Sequence, residues 1–281
     1  MQESKWLHSE IPPSSTVMDF IKTRCHWNEA VLDIGTRFEP ELAVKYKVDP
    51  SSVCSEIYDL YRELGAIAWR SQQSLSLYGI SLSFNPSHPK DSWHVQSFGH
   101  PRYQHLSRYD YFQAVERDAE NRIKDDYLDS LGFRVLIPQL ESKKNLKDLF
   151  SRFRVPVVRS TARTINGCLV YPSIPGDGGM HRDDSPFEVL RLNFSLTDSN
   201  LFGIQYLGCE PQLFCAGEGV VINTDYLHRA YIEDRNNIQR TNLIIGVTPW
   251  LSYDAENEVW SLNEHFGKTH PYDLVESGDI I

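Results

Sequence analysis

Apolar residues between positions 52 and 70 recur at intervals of three and four, which is the spacing of an amphipathic helix. The apolar positions are Val53, Ile57, Leu60, Tyr61, Leu64 and Ile67. Ser51 or Ser52 can cap the first turn, in which Glu56 also lies. The pattern therefore predicts a helix over 52–70. Residues 1–50 show no regular spacing and are predicted to be irregular.

Two further helices and a strand region follow from the same kind of pattern. The helices are predicted across 114–130 and, in a short stretch, across 146–153. Apolar residues within 75–84 indicate a strand or two. Residues 86–112 are rich in Pro, Gly, His and Tyr and are predicted to form a loop. The region 1–130 is thus expected to be helical and irregular, and to be part of the same fold as the rest of the chain.

The pattern changes after about Arg154, where short runs rich in β-branched and aromatic residues are separated by Gly, Pro, Asn and Asp. The runs are Val155–Val158, Cys168–Tyr171, Val189–Leu196, Phe202–Leu207, Gln212–Phe214, Val220–Asn223 and Asn242–Val247. So many short strands predict a compact antiparallel barrel or sandwich over 131–255. Residues 256–281 are predicted to form a C-terminal tail. The whole chain is therefore expected to be an α+β protein.

Candidate metal ligands precede one of these strands. His181 and Asp183 are separated by one residue, so on an extended chain both side chains point to the same face and can bind one metal ion. Asp184 is an alternative carboxylate, but its side chain would face away from that of His181. The natural candidate for a third ligand is His228, which follows the strand Val220–Asn223.

Two imidazoles and one carboxylate on one side of a metal leave the opposite side open. This is the facial triad of non-haem Fe(II) oxygenases, in which a keto acid and O2 occupy the remaining positions. Arg240 opens the strand that follows His228, and its guanidinium can bind the distal carboxylate of a diacid through two hydrogen bonds. Arg191 and Asn193 share one face of their strand and are candidates for a second carboxylate contact.

These motifs resemble those of the 2-oxoglutarate-dependent oxygenases with a double-stranded β-helix core. Within that superfamily they are most similar to the aspartyl/asparaginyl β-hydroxylase and cis-proline hydroxylase group. The matching pattern is His181-x-Asp183, then Arg-Leu-Asn-Phe-Ser-Leu, then Gly-Glu-Gly-Val-Val-Ile-Asn, then His228, then Arg240. The resemblance covers roughly residues 150–250.

The resemblance implies a cupin-like jelly-roll core with the N-terminal part packed on it. It also implies that His181, Asp183 and His228 bind Fe(II), and that Arg240 anchors 2-oxoglutarate. O2 is then the second co-substrate, ascorbate serves as reductant in vitro, and an unactivated C–H bond is hydroxylated with release of succinate and CO2.

Two details of the sequence qualify the resemblance. The group usually has an Arg-x-His pair where this chain has Arg191-x-Asn193, which leaves the role of Asn193 open. The presence of Asp183 counts against a halogenase, because in such enzymes a halide replaces the acidic ligand.

The expected substrate is a free amino acid or a small amino-acid-derived metabolite, since the group acts on amino acids and the chain shows no appended binding repeats. Arg159, Arg163 or Arg191 can bind its carboxylate, and the 86–112 loop, with Trp93, can form a lid over the site. The alternatives are a peptidyl or protein hydroxylase, and a non-catalytic cupin-like protein that senses a metal or a small acid.

Two other groups of residues could suggest a second metal site or a serine hydrolase site, and the sequence favours neither. His88, His94, His100 and His105 are irregularly spaced among Pro, Gly and Tyr, which favours a surface loop over a second metal site. Ser195 with His228 does not indicate a serine hydrolase, because Ser195 lies within a strand and lacks the sharp turn of a nucleophile elbow.

The composition also bears on the partners and the cellular compartment of the protein. The 281 residues carry a net charge of −10, which argues against nucleic acid as a partner. The five cysteines include no CxxC pair, a pattern typical of reduced thiols in a cytosolic protein. The N-terminus lacks the apolar stretch of a signal peptide, and no apolar run is long enough to span a bilayer. A cytoplasmic protein that acts on a small molecule is expected, and the oligomeric state stays open.

Overall fold

The computed structural model describes most of the second half of the chain and parts of the first. The described residues are 43–68, 76–84, 135–155, 157–167, 180, 190–197, 202–224, 226–232, 238–247, 249, 251–254, 259–266 and 268–281. The predicted helix at 114–130 and the predicted loop at 86–112, with Trp93 and its histidines, lie outside these residues.

The described strands form a larger sheet, a smaller sheet and two further pairs. Their bounds are Ala43–Lys47 (β1), Ile67–Ala68 (β2), Ser76–Ser81 (β3), Ser83–Phe84 (β4), Val135–Leu136 (β5), Val157–Gly167 (β6), Leu190–Ser195 (β7), Phe202–Tyr206 (β8), Gln212–Leu213 (β9), Glu218–Ile222 (β10), His228–Ile232 (β11), Ile238–Val247 (β12), Leu251–Asp254 (β13) and Val259–Leu262 (β14). The larger sheet has the order β1-β10-β7-β12-β6-β3-β2, and the smaller has the order β11-β8-β9. The two further pairs are β4–β5 and β13–β14. All pairings described are antiparallel.

The two sheets enclose an apolar cluster. Its members are Ile165, Val220 and Ile222 from the larger sheet, Phe202, Ile204 and Tyr206 from the smaller sheet, and Phe214 beside them. From β7 to β12 the chain passes back and forth between the sheets, and this alternation is typical of a jelly roll. The arrangement is an α+β fold with two antiparallel sheets, consistent with a double-stranded β-helix core.

In the described part of the chain, three helices cover the other side of the larger sheet. They span Pro50–Leu64 (α1), Lys144–Phe150 (α2) and Pro271–Ser277 (α3), and a 3-10 helix at Pro138–Ser142 precedes α2. Their apolar side chains join those of the sheet in the main core, which includes Ile57, Leu60, Leu149, Phe150, Leu274, Leu192, Phe194, Leu243 and Ile245. No helix in the described ranges is long and apolar enough to cross a membrane.

The first predicted helix is confirmed, but both of its predicted ends were wrong. It begins after Asp49, whose carboxylate accepts a hydrogen bond from the N–H of Ser51 at 3.3 Å, so that neither Ser51 nor Ser52 is the cap. It ends at Leu64, because Gly65 adopts a positive φ of 78° and its N–H bonds to the carbonyl of Tyr61. The apolar spacing continues to Ile67 only because Ile67 belongs to β2.

Several strands contradict the sequence-based boundaries. Residues 1–50 were predicted to be irregular, yet Ala43–Lys47 forms an edge strand against β10. The strand predicted at Val155–Val158 instead runs from Val157 to Gly167. The predicted strand was too short because the apolar pattern excludes charged residues, and the inner positions of β6 include the charged Arg163. Pairing between distant segments decides both cases, and no local pattern carries that information.

The segment 256–281, predicted to be a tail, contributes ordered elements to the fold. β14 pairs with β13, and α3 places Leu274 and Val275 in the main core, where both are 2% exposed. The short helix predicted across 146–153 ends at Phe150. The larger sheet combines strands from both sides of residue 131.

Glu56 joins α1 to the start of α2. One oxygen of its carboxylate accepts hydrogen bonds from the backbone N–H and the side-chain amide of Asn145, at 2.9 and 2.8 Å. The other oxygen accepts from the N–H of Leu146 at 2.8 Å. The first N–H groups of a helix lack partners within the helix, so this carboxylate satisfies donors that α2 cannot satisfy itself.

Replacing Glu56 by Gln should lower the free energy of unfolding by about 1.5–3 kcal/mol, the usual contribution of hydrogen bonds to a charged group. The reason is that the amide keeps one acceptor oxygen and loses the charge. Urea unfolding measures the change. The matched control is Asp148→Asn, which also removes one carboxylate charge, here from the exposed side of α2. Equal stability of the two variants would contradict the role of Glu56.

Candidate functional site

The face of the larger sheet that looks toward the smaller sheet is called here the inner face. On β7, Leu190, Leu192 and Phe194 point into the main core with the helices. Arg191, Asn193 and Ser195 alternate with them and therefore lie on the inner face. The pairing of Asn193 with Val220, a member of the apolar cluster between the sheets, agrees with this assignment.

The inner face is cationic although the chain is acidic overall. Arg163 on β6, Arg191 on β7 and Arg240 on β12 all lie on it, as the strand registers show. Glu218 is the one acidic residue among the inner-face strand residues that the structure describes, and it pairs with Lys47 at 3.4 Å. In a chain of net charge −10, this concentration of arginines suits anionic ligands.

Arg240 is the most deeply buried of these cations, with 5% of its surface exposed. Its guanidinium carbon lies 3.1 Å from the ring centroid of Phe202 and 5.6 Å from that of Phe214. The negative face of an aromatic ring attracts a cation, so the smaller sheet holds the guanidinium in a fixed orientation. Charge acts more strongly in such surroundings than in water. Arg240 is therefore placed to bind a carboxylate.

An amide pair occupies the middle of the inner face. The side-chain N–H of Asn242 donates to the side-chain oxygen of Asn193 at 3.0 Å, and both residues are buried. Asn193, which the sequence proposed as a carboxylate contact, thus uses its oxygen within the protein. Its own amide N–H groups are the atoms that can donate to an anion.

His228 is the first residue of β11 and is 6% exposed. Its Nδ1–H donates to the carbonyl of Tyr226 at 2.8 Å. In the neutral imidazole this contact leaves the lone pair on Nε2, an arrangement found in metal-binding histidines. The chemistry and burial of His228 therefore fit the role of a metal ligand.

Tyr206 fixes the position of His228 relative to the larger sheet. The Tyr206 ring lies 6.2 Å from that of His228, and its hydroxyl accepts a hydrogen bond from the N–H of Asn223 at 3.0 Å. Burial raises the pKa of Tyr206 well above the ordinary tyrosine value, so the phenol stays neutral near neutral pH. Asn223 directly follows Ile222, which pairs with Arg191. His228 therefore lies near the Arg191 end of the inner face.

The arginines divide between the two ends of the inner face. Arg191 lies opposite Gly246, whereas Arg240 lies six residues earlier on β12, which corresponds to about 20 Å along the strand. Arg163 lies opposite Asn242, one diagonal step from Arg240. The structure thus brings Arg163 close to Arg240 and keeps Arg191 apart from it.

Some candidates from the sequence lie outside the described residues. These are His181, Asp183 and Trp93. Arg159 lies in β6, opposite Gly246. Within the described ranges, no group of three His, Cys, Asp or Glu side chains is placed to hold a metal ion.

Sequence reasoning missed four groups that build this site. They are Phe202 and Phe214 against Arg240, Tyr206 beside His228, and Asn242 in the amide pair. Asn242 could have been found, because it stands two residues after Arg240 and so shares its face. The aromatic residues gave no such signal, since apolar residues in a strand are equally consistent with an ordinary core.

A separate cavity of about 400 Å³ opens on the helix-covered side of the fold. Its lining includes Arg154, Val155, Glu264, His265, Leu274 and Asp279. Arg154 and Glu264 are exposed to solvent, so this cavity lacks the buried, convergent charge of the inner face. We therefore assign the functional site to the inner face.

No protein-family model and no curated protein matches the sequence. Solved structures match at low identity. An oxidoreductase of the 2OG-Fe(II) oxygenase family from Burkholderia pseudomallei is 18% identical over 41% of this chain and 62% of that chain, with a TM-score of 0.29. A prolyl hydroxylase from Trichoplax adhaerens, in complex with a peptide fragment of hypoxia inducible factor, is 7% identical over 88% and 96%, with a TM-score of 0.36.

A third match has a different activity. The DMSP lyase DddQ from Ruegeria pomeroyi is 17% identical over 38% of this chain and 43% of that chain, with a TM-score of 0.22. The chain spans less than two thirds of the lyase and of the Burkholderia oxidoreductase. Likenesses this remote assign no activity to the chain.

Replacing Tyr206 by Phe should lower the free energy of unfolding by about 1–3 kcal/mol, because it removes a buried acceptor of the Asn223 N–H. Chemical denaturation measures the change. Tyr231→Phe removes a hydroxyl from the half-exposed side of β11 and should change stability by less than about 0.5 kcal/mol. Comparable losses in both variants would contradict the assigned hydrogen bond.

Proposed function

We propose that this chain is an Fe(II)- and 2-oxoglutarate-dependent dioxygenase. Its reaction hydroxylates an unactivated C–H bond of a free amino acid or of a small amino-acid-derived metabolite. The observation that supports this proposal is that His228 and Arg240 are both buried, one on each of the two facing sheets. His228 offers a metal ligand near one end of the inner face, and Arg240 offers a buried carboxylate-binding group toward the other.

This arrangement suits a ligand that binds metal at one end and carries a carboxylate at the other. Phe202 and Tyr206 mark the two positions on β8, four residues apart, or about 13 Å. The long arginine side chain shortens the gap between the two groups. A 2-oxo diacid has the matching chemistry, because its keto-acid end chelates a metal and its distal carboxylate fits a guanidinium.

The metal site in this proposal consists of His181, Asp183 and His228. The sequence motif supports the first two, and the tautomer set by Tyr226 supports His228. When bound there, Fe(II) with 2-oxoglutarate and O2 supplies the oxidising chemistry, which yields succinate and CO2. The protein's part is to hold the metal with three side chains and leave the remaining positions open.

The described residues have separate tasks in this proposal. Arg240 binds the distal carboxylate of the co-substrate, and Phe202 keeps its guanidinium oriented. The apolar cluster around them, with Ile204 and Phe214, excludes water and thereby strengthens the ionic contact. The pair of Asn193 and Asn242 lines the path between the metal and Arg240 with neutral polar groups.

The substrate is proposed to approach from the metal end of the inner face. Arg191 is half-buried at that end, and Arg159 lies on β6, across β12 from Arg191 and opposite the same Gly246. A carboxylate is the group that these arginines recognise best, which supports an amino-acid-like substrate. The 86–112 loop with Trp93 is proposed as the lid.

Incubating the purified protein with Fe(II), ascorbate and 2-oxoglutarate in air, together with pools of amino acids, should produce succinate. His228→Ala should abolish succinate formation and weaken Mn(II) binding, because one of three metal ligands is lost. Succinate stimulated only by peptide pools would instead support a peptidyl hydroxylase. If the protein binds both ligands but forms no succinate with any pool, a non-catalytic sensor is supported.

Arg240→Gln should leave Mn(II) affinity unchanged and weaken 2-oxoglutarate binding at least about tenfold, which corresponds to about 1.4 kcal/mol. Calorimetric titration of the Mn(II)-loaded protein measures both affinities. Arg229→Gln is the matched control, because Arg229 bonds to Gln205 at 2.9 Å next to His228 in sequence and lies on the opposite face of β11. Equal affinities in the two variants would contradict the role of Arg240.

A further inference from the structure

We infer that Arg163 is a second cation of the co-substrate pocket, so that the distal carboxylate of 2-oxoglutarate binds between Arg163 and Arg240. This inference rests on the proposed function and deepens it. The sequence alone grouped Arg163 with residues that contact the substrate, and grouped Arg191 with Arg240. The strand registers favour exchanging those two assignments.

The register of β6 and β12 places the two arginines side by side. Arg240 lies opposite Ile165, and Asn242 lies opposite Arg163, in a continuous antiparallel ladder. Arg163 and Arg240 are therefore diagonal neighbours on one face. Diagonal neighbours are about 7–8 Å apart, within the reach of long side chains. Two guanidinium groups can thus converge on a single carboxylate.

The strand neighbours of Arg163 on the inner face are small or apolar. On its other side, Arg163 lies opposite Gly79 of β3, which has no side chain to occupy the inner face. Next along its own strand on that face is Ile165, which belongs to the apolar cluster. Arg163 itself is half-buried. An inner-face position beside a glycine, an apolar cluster and a second arginine is suited to an anion.

The electrostatics of the pair point the same way. Two guanidinium groups stay charged at every physiological pH and repel each other, more strongly in an apolar interior than in water. A carboxylate between them replaces that repulsion with two attractions. A doubly cationic pocket should therefore require the distal carboxylate strictly, and should bind poorly any 2-oxo acid that lacks it.

Arg191 is too far away to take this part. It lies opposite Gly246, six residues along β12 from Arg240, which is about 20 Å. Arg191 lies instead at the end of the inner face near His228, where the proposed function places the metal and the substrate. The matched comparison is Arg229, which bonds to Gln205 at 2.9 Å and lies on the opposite face of β11 from His228.

The test is a titration of the Mn(II)-loaded full-length protein with 2-oxoglutarate and with 2-oxopentanoate, which has the same chain length and no distal carboxylate. Arg163→Gln should weaken 2-oxoglutarate binding at least tenfold and change 2-oxopentanoate binding less than twofold. Arg229→Gln should change 2-oxoglutarate binding less than twofold. Arg163→Lys keeps the charge but loses the fork of N–H donors. Its affinity for 2-oxoglutarate should lie between those of the wild type and Arg163→Gln.

Three outcomes would overturn the inference. One is full 2-oxoglutarate affinity in Arg163→Gln while Arg240→Gln loses it, which leaves the proposed function standing. Another is an equal loss of affinity for 2-oxoglutarate and for 2-oxopentanoate in Arg163→Gln, because such a loss would indicate that Arg163 has a structural role. If Arg163→Gln does not fold, unchanged affinity in Arg163→Lys counts against the inference. Failure of the wild type to bind 2-oxoglutarate with Mn(II) overturns the proposed function itself.

Discussion

The positive charge of Arg240, buried between the two sheets beside an apolar cluster, is the constraint on which the site depends. Arg240 is 5% exposed, and its guanidinium lies against the face of Phe202. The contact joins the two sheets, because Arg240 comes from the larger sheet and Phe202 from the smaller. A cation in such a place is costly to bury without compensation by ring faces, polar groups or an anion. Arg240 therefore links the two sheets, and its buried guanidinium suits an anionic ligand.

Because side chains alternate along its strands, the larger sheet has an apolar side that packs in the core and a polar side that faces the smaller sheet. Its outer side, with residues such as Leu192, Phe194 and Leu243, packs against three helices in the main core. Its inner side carries arginines and amides that would be unfavourable in that core. Each of β6, β7 and β12 contributes to both sides, so any shift of register by one residue would exchange the two environments.

Local patterns predicted the elements whose periodicity is carried by apolar residues. The helix over 52–70 is confirmed in its existence and its buried face, and the strands near 190–196 and 202–207 lie close to their predicted positions. The patterns failed for β6, where polar residues occupy inner-face positions, and for β1, which is ordered only by pairing with β10. Both failures arise where a strand owes its order to a distant partner.

The sequence by itself determined which residue types the site can draw on. Residues such as His228, Arg240 and Arg191 stand out because their chemistry and spacing are readable along the chain. Only the tertiary structure decided which of them act together. Cross-strand register brought Arg163 to Arg240 and left Arg191 at the far end, and sheet packing set Phe202 on Arg240. Register is fixed by hydrogen bonding between segments remote in sequence, and spacing along one strand does not specify it.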